Sequence, residues 1–430
     1  MNRIKNLAAV LVAGMTLLTA ACSDSPGSGN APDVAAAITV ERPAGMEDAT
    51  VTSESLTLTN VNTGIVSTFG SLSNVSVEPG LYDLRYEAQL TLANGAHALM
   101  HAARTSVTIS EGAAPIVLEA YANIENDDLI IAEVFFTGTI QRSGNDYHGD
   151  DYIKLYNNTD HVIYADGITI FETKFTTTQK YEHTPDIMGE AMNVQALYTV
   201  PGSGTDHPVQ PGEYFLIADT GIDHRVANPN SFDLRHADFE WYDVSTKPGN
   251  LDIDGPDVPN MDKWYCYTLS YWMLHNRGFK AFGIARIPVD CDTYLTEYKY
   301  HYDYTLVTVA GTFPMTADAY RLPNEWIVDV VNCSVQSLYA WNLCAPALDS
   351  GWTYCGTVDK DKTRFFHSVR RKLLRIADDG RVILKDTNNS TDDFNPGVVA
   401  SEIELQGTAM DVDGTPCTQV TYDGVRPVKK

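Results

Sequence analysis

Residues 129–136 read LIIAEVFF, an apolar run with the length and composition of one buried β-strand. Residues 151–160, DYIKLYNNTD, add a second strand that ends in an Asn-rich turn. Residues 210–219, QPGEYFLIAD, place a Pro-Gly turn directly before a third strand. We interpret these segments as successive strands of one β-sandwich. They predict an all-β main domain over residues 127–396, with long insertions at residues 174–205 and 228–259. Closing strands, marked by Ile403 and Leu405, and a tail follow over residues 397–430.

A smaller β-sandwich module is predicted upstream, over residues 33–121. Tyr82, Leu84 and Tyr86 alternate with charged residues, and this period of two places the apolar side chains on one face of a strand. The entry into this strand, a glycine followed shortly by a tyrosine, resembles the immunoglobulin-like and prealbumin-like modules of secreted bacterial proteins. That resemblance implies a spacer role for the module.

The N-terminal segment resembles a bacterial lipoprotein signal. Residues 1–21 contain two basic residues, then the apolar stretch Leu7–Leu18, which is too short to span a membrane as a mature helix. Small residues precede Cys22, so the resemblance implies that Cys22 is lipidated and becomes the first mature residue. Residues 22–32 then form a flexible tether. The alternative is an ordinary secretory peptide with an incidental cysteine. We predict an outer-membrane lipoprotein that faces the cell exterior.

The charge balance is strongly acidic. The chain has 30 Lys and Arg residues against 56 Asp and Glu residues, a formal net charge of −26. Nucleic-acid binding requires a positive surface facing the phosphates, so this composition argues against it. A negative molecule favours cations or basic partners.

Six cysteines follow Cys22, and they are all in the C-terminal half of the chain. An even number of cysteines in an exported protein predicts disulfides, although the pairing stays open and free buried thiols are the alternative. No CxxC spacing occurs, so the sequence does not indicate a zinc or redox motif. The six disulfide candidates are Cys266, Cys291, Cys333, Cys344, Cys355 and Cys417.

An acidic turn is a candidate calcium site. Its side chains follow an Asp-x-Asp-Gly pattern, and calcium is bound by several hard oxygen ligands from a bent loop. The full EF-hand spacing is missing, so solvated carboxylates on a turn are the alternative interpretation. The four candidate ligands are Asp252, Asp254, Asp257 and Asp262.

A run of tyrosines is the best candidate for a ligand site. Tyr298, Tyr300, Tyr302 and Tyr304 alternate with polar residues, so on a strand they share one face. Aromatic faces stack on sugar rings, planar cofactors or partner proteins. Trp264 and Trp272 belong to a second aromatic cluster that we assign to the same role. The alternatives are a sandwich core or a face covered by an insertion.

Enzyme signatures are missing from the sequence. No GxSxG, HExxH, P-loop or GxGxxG pattern occurs. His148 lies near Asp146, Asp150 and Asp151, a set that suits a metal ion, although a polar loop produces the same set by chance. A basic stretch around Arg371 suits either an anionic ligand or internal ion pairs.

Several segments resemble the lamin-tail domain family. These are residues 131–134, 151–160 and 211–218, together with the closing segment 386–394. The resemblance implies an immunoglobulin-like β-sandwich interrupted by long insertions.

Four other segments resemble a family of uncharacterised outer-membrane lipoproteins of Bacteroidota. They are residues 259–267, 275–279, 323–327 and 368–372. Relatives in that family are often encoded near TonB-dependent transporters, so the resemblance implies a role in nutrient capture.

The sequence thus predicts a non-enzymatic, surface-exposed lipoprotein that binds a nutrient or metal complex beside a TonB-dependent transporter. A structural or adhesive surface protein is the first alternative. A glycan hydrolase is the second, because paired carboxylates are set by distance in space and not by sequence spacing.

Overall fold

The computed structural model describes residues 32–42, 46, 48–92, 97–124, 127–377 and 379–407. The proposed lipidation site Cys22 and the cysteine Cys417 lie outside these residues. The described chain is dominated by β-strands, as the sequence predicts. No helix in this part of the chain has the length and apolarity needed to cross a membrane.

The N-terminal module is built on a five-stranded antiparallel sheet with the order β4-β3-β6-β7-β9. Tyr82, Leu84 and Tyr86 on β6 point into its own apolar core, as the alternation predicts. A parallel pair, β2 with β8, and a short antiparallel pair, β1 with β5, complete the module. The strands are β1 (Val34–Ala35), β2 (Ile38–Glu41), β3 (Thr50–Asn60), β4 (Val66–Phe69), β5 (Ser76–Val77), β6 (Gly80–Thr91), β7 (His97–Ile109), β8 (Ile116–Glu119) and β9 (Tyr121–Ile124).

The first half of the main domain contains the three strands predicted from the sequence. Two of its strands, Ala191–Thr199 and Phe239–Glu240, lie in the stretches that the sequence analysis treats as insertions. The strands are β10 (Ile130–Phe135), β11 (Thr139–Ile140), β12 (Asp146–Tyr147), β13 (Tyr152–Tyr156), β14 (Ile163–Tyr164), β15 (Ile168–Thr173), β16 (Ala191–Thr199), β17 (Pro208–Val209), β18 (Tyr214–Ala218), β19 (Phe239–Glu240), β20 (Asp262–Cys266) and β21 (Ala281–Arg286).

The second half of the main domain adds a long hairpin and the closing strands. Its elements are α1 (Cys291–Glu297), β22 (Lys299–Thr308), β23 (Gly311–Pro323), β24 (Ile327–Ser334), β25 (Thr353–Tyr354), β26 (His367–Arg371), β27 (Leu373–Ile376), β28 (Val382–Leu384), α2 (Ser390–Asp393), β29 (Phe394–Val399) and α3 (Ser401–Gln406).

Two sheets form the main sandwich. One has the order β19-β18-β13-β10-β26-β29, and the other has β22-β23-β16-β15-β21-β24-β25, with β20 paired to β16. A single apolar core takes residues from both sheets, such as Ile131 and Ile153 from the first and Ile170 and Phe282 from the second. The predicted β-sandwich is therefore correct.

Two predictions about the secondary structure are wrong. Residues 174–205 read as a polar insertion, yet β16 lies within them and all nine of its residues are buried. Ile403 and Leu405 were expected on a closing strand, but they lie in α3, which ends at Gly407 with a positive φ of 63°. Apolar residues spaced two apart fit a strand. Here the neighbouring residues Ser401 and Glu402 are both buried and both accept from the Lys154 ammonium, whereas a strand would turn them to opposite faces, so the segment forms a short helix.

Candidate functional site

The tyrosine run lies on β22, and its predicted alternation is present. Tyr300, Tyr302 and Tyr304 are buried or half-buried, whereas the residues between them are exposed. The shared face does not form an exposed platform, because residues 174–190, which we call the covering loop, pack over it. Backbone hydrogen bonds join Thr184 and Asp303 in both directions, each 2.9 Å long. The loop is therefore fixed to the edge strand of the sheet.

An aromatic stack connects the covering loop to the hairpin. The rings of Phe175 and His183 lie parallel, with centroids 3.9 Å apart, and Tyr302 contacts Phe175 edge-on at 5.2 Å. Trp341 stacks on the same pair at 6.3 Å, and its indole N–H donates to the carbonyl of Thr176 at 2.9 Å. Burial lowers the pKa of His183, so its ring is neutral near pH 7.

The space beside this stack is a cavity of about 290 Å³. Phe175, His183, Tyr300 and Trp341 line it, together with apolar and polar residues of the covering loop and of residues 342–346. We call it the aromatic cavity. The hydroxyl of Tyr300 is buried and has no hydrogen-bond partner among the described residues. An unpartnered buried hydroxyl is costly, so a ligand group that hydrogen-bonds to it is favoured.

Comparison with known proteins gives a family for part of the chain. Residues 210–401 match DUF4876, a family described as protein of unknown function. The chain is also similar to the crystal structure of a DUF4876 family protein from Bacteroides thetaiotaomicron VPI-5482, with 19% identity and a TM-score of 0.54. That match covers 88% of this chain and 98% of the other. At this identity the similarity establishes the fold. No curated protein matches the chain.

The DUF4876 match includes only part of the aromatic cavity. Tyr300 and Trp341 lie within residues 210–401, whereas Phe175 and His183 of the covering loop precede them. Sequence reasoning missed these two loop residues. The only signal for them was general, since long insertions between strands are common places for binding sites.

Of the six predicted ligand residues, Tyr300 is the one found in the cavity lining. Tyr302 and Tyr304 pack against aromatic rings of the covering loop beside it, and the other three lie elsewhere. Tyr298 follows α1 and packs on Trp326, with ring centroids 4.8 Å apart. Trp264 packs on Tyr294, and Trp272 is fully buried and stacks on Tyr198 at 5.1 Å. In this structure these three rings pack on other aromatic side chains, and none of them lines the aromatic cavity.

A larger cavity of about 680 Å³ lies between β13, β18, α3 and residues 225–236. Most of its charged side chains already form ion pairs. Lys154 Nζ lies 2.6 Å from Glu402 Oε1, and His236 lies 3.1 Å from the other oxygen of Glu402. Arg225 and Arg235 are held by the carboxylates of residues 223 and 233. We assign this cavity a structural role because, apart from Asp257, the charged side chains that line it are used in these ion pairs.

The predicted calcium ligands do not converge. Both oxygens of Asp252 accept backbone N–H groups, from Asp243 at 2.7 Å and from Ile253 at 3.0 Å. Asp254 accepts from the side chain of Asn260, and Asp257 lines the larger cavity. Asp262 is exposed at the start of β20. Among the residues that the structure describes, no three His, Cys, Asp or Glu side chains are grouped as metal ligands. The prediction fails because Asp252 caps backbone N–H groups, while the other three carboxylates lie apart from it and from one another in separate surroundings.

The predicted disulfides are wrong for the described cysteines. Cys266, Cys291, Cys333, Cys344 and Cys355 are all free thiols. Cys333 and Cys355 are packed in the sandwich core, and Cys344 accepts a hydrogen bond from the Asn332 side chain at 3.2 Å. Burial raises the pKa of the Cys333 thiol well above its usual value. These cysteines pack as small apolar residues, so their even number does not require disulfide bonds.

The basic stretch around Arg371 is used for internal ion pairs. The Arg371 guanidinium is buried and lies 2.5 Å from Asp329, 3.0 Å from Asp386 and 3.7 Å from Asp393. Arg370 pairs with Glu404 at 2.8 Å. Asp329 lies on β24 and Arg371 on β26, so this cluster ties the two sheets together.

Proposed function

We propose that the protein is a non-enzymatic binding protein whose aromatic cavity holds a small, ring-bearing nutrient such as a sugar residue. The observation that carries this proposal is the unpartnered Tyr300 hydroxyl in a cavity with aromatic walls. A volume of about 290 Å³ fits one ring. This volume lies just below the roughly 300–1,000 Å³ typical of small-molecule sites.

The location of the protein is part of the same proposal. The signal-like residues 1–21 and the cysteine that follows support export and lipidation at Cys22. The resemblance to Bacteroidota lipoproteins supports an outer-membrane position beside a TonB-dependent transporter. We propose that the bound nutrient is passed to that transporter.

The binding step is tested by titrating the full chain with glucose, galactose, N-acetylglucosamine and riboflavin in a calorimeter. We expect at least one probe to bind. Tyr300→Phe removes only the hydroxyl, so it should weaken binding by about 0.5–1.5 kcal/mol, a factor of about 2 to 12. Tyr298→Phe is the matched control, because Tyr298 lies outside the cavity and its loss should leave the affinity unchanged. No binding by any probe, or equal losses in both variants, contradicts the proposal.

The transporter step is tested by native co-purification from the outer membrane in mild detergent, with a tag after Lys430. A TonB-dependent transporter that elutes in stoichiometric amount supports the proposal. If no transporter elutes with the protein, the transporter step of the proposal is contradicted.

A second candidate function, adhesion, has one observation in its favour. Four apolar side chains are exposed near the tip of the β22–β23 hairpin, namely Val307, Val309, Phe313 and Met315. Contiguous exposed apolar groups often mark contact surfaces. Replacing Val309 and Phe313 with Ser should abolish surface attachment of cells if adhesion is the function, and should leave sugar binding unchanged.

A further inference from the structure

Two aspartates face each other at the end of the sandwich core. Asp151 directly precedes β13, and Asp219 directly follows β18. The pairing of Tyr152 with Ala218 continues by one step, because the Asp219 N–H donates to the Asp151 carbonyl at 2.8 Å. Residues directly opposite on antiparallel strands have Cβ atoms roughly 5 Å apart on the same face of the sheet. We call these residues the acid pair.

The acid pair is buried and lacks counter-charges. Asp151 is fully buried and Asp219 is 5% exposed. Neither carboxylate oxygen of Asp151 has a hydrogen-bond partner, and Asp219 has one oxygen without a partner. The neighbouring Asp150 also has one such oxygen, while its other oxygen accepts from Thr139 and Ser231 at 2.5 Å. In the described chain, no Lys, Arg or His forms an ion pair with any of the three.

Three carboxyl groups in such surroundings strongly resist ionisation. Burial and the neighbouring carboxylates raise the pKa values of Asp151 and Asp219 well above the usual range. The amide of Gly138 lies near enough to offset part of this rise for Asp151, although it does not have the geometry of a hydrogen bond to either carboxylate oxygen. An isolated buried carboxylate is costly, and it is relieved either by a proton or by a cation.

We propose that the acid pair binds a divalent cation of the calcium class. Calcium prefers carboxylate and carbonyl oxygens and accepts six to eight of them in irregular geometry. The acid pair supplies free carboxylate oxygens that point to the same side of the sheet, and Asp150 adds negative charge beside them. Main-chain carbonyls and water complete the shell, because among the residues that the structure describes no third side chain joins the two as a ligand. With only two charged ligands, we expect a Kd on the order of 0.1–1 mM, the range of extracellular calcium modules.

The test is thermal unfolding of the full chain at pH 7.5, followed by tryptophan fluorescence, first in chelator and then in calcium chloride. All six tryptophans lie between Trp241 and Trp352, so the signal reports on the main domain. At ten times the Kd, calcium should raise the Tm by about 3–5 °C. Sodium chloride of equal ionic strength is the control for screening.

Variants separate binding from folding. Asp151→Asn and Asp219→Asn should lose the calcium-induced shift, and in chelator neither should melt below the wild type, because each replaces a buried acid that has no counter-charge with a neutral amide of similar size. Asp254→Asn is the matched control from the acidic turn and should keep the full shift. An equal shift from sodium chloride, no shift in the wild type, or a shift lost only in Asp254→Asn would overturn the proposal.

Discussion

Replacing Arg371 with Met should strongly destabilise the main domain. The guanidinium bonds to the carbonyl of Ile131 at 2.7 Å and to three carboxylates from two separate parts of the chain. Met fills much of the same volume, so the substitution mainly removes charge and hydrogen bonds. It leaves buried carboxylates without a counter-charge, which costs about 3–5 kcal/mol when one partner of a buried ion pair is removed. That is a large part of a typical unfolding free energy of about 5–15 kcal/mol.

The assay is urea unfolding followed by tryptophan fluorescence. Arg371→Lys keeps the charge but loses the planar fork, so its stability should fall between those of the wild type and Arg371→Met. Lys299→Met removes a surface ion pair with Asp318, in which both side chains are about half exposed, and should lower the stability far less than Arg371→Met does. A loss below about 1 kcal/mol for Arg371→Met would refute the reasoning that this cluster holds the sheets together.

The pH dependence gives a second check on the same variant. Burial raises the pKa of Asp329, and Arg371 opposes that rise. Without Arg371, the pKa of Asp329 in the folded state rises further above its value in the unfolded state. The protonated carboxyl then favours the folded state at low pH, and this contribution is lost as the pH rises. The loss of unfolding free energy caused by Arg371→Met should therefore be smaller at pH 5.5 than at pH 8. The opposite trend would contradict the explanation.

Two further predictions concern single buried groups. Asn157 is buried, donates to the carbonyls of His161 and Val209, both at 2.8 Å, and accepts from Thr159, so Asn157→Ala should cost about 2–4 kcal/mol in urea unfolding. The exposed Asn62 is its control, and equal losses would contradict the assignment. Burial raises the pKa of Glu240 to about 7, so its contribution to stability is present below pH 4.5 and is lost as the pH rises through 7. The cost of Glu240→Gln should shrink by up to roughly 3 kcal/mol between pH 5 and pH 8 in chelator, and a pH-independent cost would contradict it.

The strand frame of the main domain was predictable because its signals are local. The apolar run at β10, the Asn turn after β13 and the Pro-Gly entry to β18 each reflect neighbouring residues in sequence. The structure places these strands side by side in the order β10-β13-β18. The tyrosine alternation on β22 was predictable for the same reason.

The cavity was not predictable, because it depends on contacts between distant segments. Tyr302 and Phe175 are brought together by the Thr184–Asp303 bridge, which leaves no local pattern. The aromatic residues Trp264 and Trp272 look equally suited to a ligand in the sequence, and only the sheet order assigns them to packing. The acid pair has the same origin, because it depends on the register of β13 against β18.

The covering loop has an evolutionary consequence. It supplies Phe175 and His183 to the aromatic cavity but adds no residue to the core shared by the two sheets. Substitutions in this loop can therefore change which ligand the aromatic cavity binds without disturbing the core shared by the two sheets. We expect proteins that share this fold to diverge in what they bind faster than in how they fold, so a ligand found for one relative should be tested again in each.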